Sequence, residues 1–442
     1  MMNDLKNHLL QVASDSAATL NGLGSPALLA VRVRGAEALK SAEFPTSKHE
    51  EWKHTNILPL SRVEFRDASA VGAHTTATTA SESTIANHIF PADEYPVQMV
   101  MVNGRYAPGL SQLGAAAPFV HGLHEGAQHH REFVDSHIGS LVSPDINAFV
   151  AANTACITDG ALVRIPANTI VEQPIVIHSI VDAQSSATLV QPRHLIEVGE
   201  NAQVTCILRT TTQGNHESLS NVVTEVFLRK NAHCSLTIIQ DDSSKASMVN
   251  TMQISQEAQS VSRCITVSLG GAIVRNDVSA LMRESGSEAN MLGVYCITGH
   301  TLVDNHTVMD HRVAHCLSNE LFKGIVNGSA HGVFNGKIFV RQDAQKTLAY
   351  QSNRNIVLSD SASVNTKPQL EIFADDVKCS HGCTVGTIDE EAMFYAQARG
   401  IGKEEARAML LAAFVEDVTN HIAHEHLRAA INERIEQILR TA

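Results

Sequence analysis

Aromatic side chains are scarce in these 442 residues, which hold one tryptophan, five tyrosines and 13 phenylalanines. Enzymes that process sugars use paired carboxylates, and commonly aromatic platforms along the groove. The obvious acidic pair, Asp375-Asp376, cannot supply the first in a strand, because neighbouring strand residues face opposite sides. Positive charge is also in deficit: the net charge of −13, with no Lys and Arg cluster, argues against a nucleic-acid surface. No apolar run approaches the roughly 18 residues of a membrane span, and Met1-Met2-Asn3-Asp4-Leu5-Lys6 has neither the basic nor the apolar region of a secretory signal. The expectation is a soluble cytoplasmic protein that touches neither membrane nor nucleic acid.

Nucleotide and hydrolase motifs are missing as well. Gly332-Val333-Phe334-Asn335-Gly336-Lys337-Ile338 imitates a phosphate loop, but its glycine spacing is wrong and it lacks the Ser or Thr that would hold magnesium. The chain is therefore not expected to hydrolyse ATP itself. No Gly-x-Ser-x-Gly elbow occurs. His49-Glu50-Glu51-Trp52-Lys53-His54 approaches the zinc-protease pattern, but its second histidine falls one position late.

The eight cysteines, at 156, 206, 234, 264, 296, 316, 379 and 383, are mostly about thirty residues apart and include no Cys-x2-Cys. That spacing excludes a disulfide framework and a typical structural zinc site, and leaves most of them as buried, reduced residues. Cys379-Ser380-His381-Gly382-Cys383 is the exception. In an extended strand Cys379, His381 and Cys383 project to one side, two thiols flanking an imidazole. A strand facing a core could carry the same cysteines as small hydrophobes. The other dense histidine set, His306, His311 and His315, crosses a turn and is not assured a common face.

Residues 1–66 read as a helical region, with Leu9, Leu10 and Val12 in one segment and Leu28, Leu29, Val31, Ala36 and Leu39 in a second that stops at Phe44-Pro45-Thr46. Trp52 is expected to anchor this region to the main body. Residues 67–94 are rich in small polar types and read as a linker or loop. From 95 to 386 the helical period gives way to short strands such as Leu162 to Ile165, Ile175 to His178, Val222 to Leu228 and Ile338 to Val340.

Turns recur there around Ala202, Ala232, Ala258, Gly286, Ala314 and Ala344, at spacings of 30, 26, 28, 28 and 30 residues. That period predicts a solenoid, and the shortage of aromatics and hairpin turns favours a parallel β-helix over a sandwich. Residues 387–442 return to helix: Asp389 caps a segment ending at Gly400, a second follows from Lys403 to Asp417 with Ala406, Met409, Leu410, Ala413 and Phe414 as its stripe, and Ile422 to Leu439 form a third. These helices are expected to cap the open end of the β-helix, to offer a docking face, or both.

Three stretches carry a resemblance. Ala344 to Asn353, Pro368 to Gly382 with Phe394-Tyr395 and Arg399-Gly400-Ile401, and the N-terminal Phe44-Pro45-Thr46-Ser47-Lys48-His49-Glu50-Glu51-Trp52-Lys53 resemble the SufB/SufD family of iron–sulfur cluster assembly proteins. His-Gly at 381–382, together with that N-terminal segment, points away from the SufB-like branch. The resemblance implies a mainly β fold, a right-handed parallel β-helix flanked by N-terminal and C-terminal helical regions. It further implies a non-ATPase scaffold subunit of a SufBCD-type complex that takes part in iron acquisition, paired with a SufB-like paralogue and with a SufC-like ATPase docked on the C-terminal helices. A homodimer is expected when the chain is isolated. His381 and Cys379 match family positions associated with a transient cluster at the interface, so no tightly bound cofactor is expected in the isolated chain. Cys383 stands where Ala is usual, and the resemblance gives it no role. The alternative is a purely structural subunit that positions its SufB-like partner and contributes no ligand.

Overall fold

The computed structural model describes residues 2–20, 26–67 and 88–441. Its centre is a parallel β-solenoid of two stacked sheets. The first sheet runs through Arg193–Val198, Ser218–Leu228, Ala246–Gln256, Ile273–Met282, Leu302–His311, His331–Val340 and Ser363–Ile372. The second alternates with it along the chain, through Ile175–Ala183, Gln203–Gly214, His233–Gln240, Val261–Ser268, Glu288–Ile297, Leu317–Val326, Leu348–Val357 and Lys378–Gly386. Each coil thus contributes one strand to each sheet, and like residues stack in columns.

Six of the eight second-sheet strands are entered through a turn with a left-handed residue. Asn201, Asn231, Gln259, Gly286, His315 and Lys346 all have φ between 56° and 79°, one per coil. Asparagine tolerates this conformation better than most residues. At the first of these corners the side chains also form a ladder, Asn231 Nδ2 donating to Asn201 Oδ1 at 2.9 Å and Asn201 Nδ2 to Asn168 Oδ1 at 3.0 Å. The periodic turns read from the sequence are these corners.

Between the sheets lies a continuous apolar interior that includes Val204, Cys206, Leu236, Cys264, Val226, Met252, Met291 and Ile338. Cysteines 156, 206, 234, 264, 296 and 316 are buried, and all eight cysteines are free thiols. Burial pushes the Cys206 and Cys264 thiols up to about 12, so they serve as packing atoms rather than nucleophiles.

Helices cover the outer faces of both sheets, which is why a strand such as Ser218–Leu228 is buried at every position. Helices α1 (Met2–Leu20) and α2 (Pro26–Ser41), α3 (Leu123–His129), α4 (Arg131–His137) and α5 (Ala148–Ala155) lie over the first sheet. Leu5, Leu9, Leu39, Trp52 and Phe149 pack there on Leu219, Val249 and Ile273. Trp52 stacks on Phe149 at 5.6 Å and anchors the N-terminal segment as expected. Gly35 lets α2 approach α5 closely, since a Cβ there would sit 2.5 Å from Ala155 N.

The structure departs from the sequence reading in three places. Helices α3 to α5 interrupt the 95–386 region; the first two have only seven residues, and α5 is buried all round, so none shows an amphipathic period. Residues 68–87 of the expected linker or loop lie outside the described residues; near its end Phe90 stacks on Tyr95 at 4.5 Å.

The C-terminal helices α6 (Glu390–Ala398), α7 (Lys403–Thr419) and α8 (Glu425–Thr441) do not close the end of the solenoid. Leu411, Val415, Val418, Ile431 and Ile435 of α7 and α8 pack sideways onto Ile207, Ile239, Ile265 and Val294 on the outer face of the second sheet. The buried stripe of α7 is Ala406, Leu411, Val415 and Val418, and Met409 points to solvent.

Candidate functional site at the open end of the solenoid

The two ends of the solenoid differ. At the N-terminal end, antiparallel pairings close both sheets, Val120–Gly122 against Ala161–Ile165 and Arg105–Tyr106 against Gln98–Val102. At the other end, Ser363–Ile372 and Lys378–Gly386 each pair on one side with the preceding coil and, among the described residues, with no strand beyond. Pro368, which cannot donate to a ladder, sits within the first of these, as an edge strand permits. Ile372, Phe373 and Val385 are exposed around this end, Phe373 by 60%.

Lys378–Gly386 carries the motif singled out in the sequence. Its alternate residues Cys379, His381 and Cys383 stack on Ala349, Gln351 and Asn353 of the coil below, all three of which are buried. The row therefore continues the interior columns to the last coil. With no coil above, Cys379 is half-buried against the main core while His381 and Cys383 are exposed. Burial raises the Cys379 thiol above its usual value, against a backbone hydrogen bond at Ala349 that lowers it. A Cβ on Gly382 would meet nothing within 4 Å, so packing inside this chain does not require a glycine there.

Among the described residues, no group of three or more His, Cys, Asp or Glu side chains is placed to hold a metal ion. The open row offers donors from one direction only. His306, His311 and His315 do not converge either: His311 Nε2 meets the buried Ser318 hydroxyl at 2.8 Å, His315 occupies a left-handed corner, and His306 joins an ion network with the buried Asp304 and the exposed Glu51. Sequence reasoning missed that network. Its signal was Asp304-x-His306, two residues apart on a strand and hence on one side.

The interior behind the open row was also missed. One column of the second sheet runs Cys206, Leu236, Cys264, Met291, Glu320, Gln351, His381, so apolar filling gives way to polar groups in the last three coils. Gln351 Nε2 donates to Glu320 Oε2 inside the solenoid. The amide of Gln351 fills the space over Gly336 of the first sheet, where a Cβ would lie 2.4 Å from its Nε2.

Comparison with known proteins places the chain in a family. The family model described as "SUF system FeS cluster assembly, SufBD core domain" matches residues 180–414, and that described as "SufBD protein N-terminal region" matches residues 3–177. An iron–sulfur cluster assembly SufBD family protein of Synechocystis sp. is 32% identical over 94% of this chain and 92% of its own length. The iron–sulfur cluster assembly protein SufD of Escherichia coli is 28% identical, covering 90% and 89% respectively. A chloroplastic protein of Arabidopsis thaliana, ABCI7, is 27% identical over 98% of this chain and 90% of its own. With both family models together spanning nearly the whole solenoid and its N-terminal cover, the chain belongs to the SufBD family of iron–sulfur cluster assembly proteins.

Proposed function

We propose that this chain is the SufD-type, non-ATPase scaffold subunit of a SufBCD-type complex, and that its open solenoid end supplies half of a transient cluster-assembly site. The observation that carries the reading is the position of His381 and Cys379 on the terminal strand. They extend the interior columns, yet at this uncovered edge Cys379 is only half-buried and His381 is exposed, beside the exposed apolar residues Ile372, Phe373 and Val385. A SufB-like paralogue adding its own terminal coil would cover the unpaired edge and supply further ligands. In its absence a second copy of this chain would do so, giving a homodimer.

The donor set suits such a role. Thiolate favours iron and cluster sulfide, and imidazole is a harder, neutral ligand that accompanies incomplete thiolate ligation. The cluster is cargo: ligands shared between two chains can hold it during assembly and release it when the interface moves. Cys383, two residues further along the same row, lies within reach of the same interface without a family role. ATP hydrolysis belongs to a SufC-like partner on the C-terminal helices, and the complex would work in the cytoplasm and acquire its iron there.

The test is spectroscopy of the reconstituted three-protein complex carrying His381→Ala and Cys379→Ala, singly and together. Altered or lost cluster absorption, with the complex still assembled, is the expected result. A wild-type cluster signal in the double variant would reduce the chain to a purely structural subunit.

A further inference from the structure

Six carboxylates are buried among the described residues: Asp159, Glu197, Glu225, Asp304, Asp310 and Glu320. Burying a charge is costly unless it is paired or fully hydrogen-bonded. Five of the six meet that requirement. Glu197 pairs with Arg164 and Arg229, Glu225 with Arg193, Asp304 with Arg275 and His306, and Asp310 with Arg312 and Arg341. Asp159 accepts from the backbone N–H groups of Tyr106, His124 and Gly160.

Glu320 has neither kind of partner. Its Oε2 accepts from the Gln351 amide, and its Oε1 has no hydrogen bond. The Thr307 hydroxyl lies beside it from the first sheet. Gln351 Oε1 is also buried without a partner. One carboxylate, one amide and one hydroxyl therefore present three unpartnered oxygens inside the last coils. Buried polar atoms left open in this way call for an ion or water. Desolvation raises the Glu320 carboxyl to about 7, opposed in part by Gln351 and Thr307, which marks a group with no positive charge beside it.

We propose that Glu320, Gln351 and Thr307 form a binding site for one hard divalent cation of the Mn²⁺ or Fe²⁺ class, inside the solenoid two coils behind His381. Oxygen donors of this kind suit hard divalent ions, with water completing the shell. The cation would supply the countercharge that each of the other four ion-paired carboxylates receives from Arg or His. Met291, one coil deeper in the same column, and Phe322 and Phe334 beside it wall the site with apolar surface on the interior side. The open end beyond Gln351 is the remaining approach. This site stands on its own geometry and does not require His381 to touch a cluster.

The full-length chain would be titrated with Mn²⁺, following loss of the aqueous electron paramagnetic resonance signal, with anaerobic Fe²⁺ as competitor. The expected result is one ion per chain in the wild type and at least about 10-fold weaker binding in Glu320→Gln, which keeps the shape and removes the charge. His381→Ala should bind within about twofold of wild type, which separates this site from the cluster half-site. Equal affinity in Glu320→Gln, or a loss in His381→Ala matching that in Glu320→Gln, would overturn the assignment. So would a high-resolution structure of the Mn²⁺-soaked protein with only water beside Glu320. If Glu320→Gln fails to fold by circular dichroism, Thr307→Val takes its place with the same criteria.

Discussion

Nε2 of His306 lies 3.0 Å from Oδ1 of Asp304 on the outer face of the first sheet. The other ring nitrogen, Nδ1, lies 3.3 Å from Oε2 of Glu51, so a single imidazole ties the N-terminal segment to the solenoid. Arg275 completes the junction: its Nη1 donates to Asp304 Oδ2 at 2.7 Å and to the Glu51 carbonyl at 2.7 Å, and its guanidinium lies 3.9 Å from the Trp52 ring. Glu50 adds a link to the terminal coil through Lys367 at 2.7 Å.

This junction should weaken in alkali. Burial alone would lower the His306 pKa, but the charge and hydrogen bond of Asp304, with Glu51, raise it to about 9. A pKa raised above its unfolded value of 6.5 gives stability that is complete below about pH 6.5 and disappears as pH rises through about 9. The loss should be on the order of 2–3 kcal/mol. Urea unfolding of the wild type between pH 6.5 and 9.5 should show this decline, and His306→Gln should start lower and stay flatter. A wild-type profile that is level over that range would refute the linkage.

A second junction is more costly to break. Nη2 and Nε of Arg193 donate to Glu225 Oε1 at 2.7 and 3.1 Å, with both side chains fully buried. Glu225 also accepts the N–H groups of Gly139, Leu141 and Val142, and so holds the loop after α4 against the first sheet. Arg193→Met leaves that carboxylate without its counterion, and should cost about 3–5 kcal/mol in denaturant unfolding. A change within about 1 kcal/mol would show that the backbone N–H groups alone neutralise Glu225.

Both junctions show what sequence could and could not reveal. The solenoid was legible because six successive coils turn through a left-handed corner residue, and Asn201, Asn231 and Gly286 are among those that advertise the near-constant period. The Cys379, His381, Cys383 row was legible because strand alternation is strict. Contacts between distant segments were not. His306 reads as one polar coil position among many until Glu51, 255 residues earlier, is seen docked against it. Nothing in the sequence singles out Glu320; the column Met291, Glu320, Gln351 places it inside. The C-terminal helices were legible as helices, but an apolar stripe does not say which surface it covers, and it covers the side of the second sheet rather than its end.

That placement changes how the proposed ATPase contact must be tested. Removing 387–442 would uncover Ile207, Ile239, Ile265 and Val294, so lost binding after truncation could reflect damage to the solenoid. The better probes are the large side chains these helices leave in solvent: Phe394, 74% exposed, with Tyr395 on α6 and Met409 on α7. Arg399 lies 4.4 Å from the Tyr395 ring and pre-orders it at the surface. Aromatic residues are the commonest energetic anchors of protein interfaces, each worth on the order of 2 kcal/mol when central. Phe394→Ser with Tyr395→Ser should therefore weaken binding of a SufC-like ATPase by at least about 30-fold in a calorimetric titration while leaving the thermal unfolding temperature unchanged. Met409→Ser should have the same sign and a smaller effect. Unaltered affinity in the double variant would move the docking face away from α6, leaving the outer side of α8 as the surface to examine next.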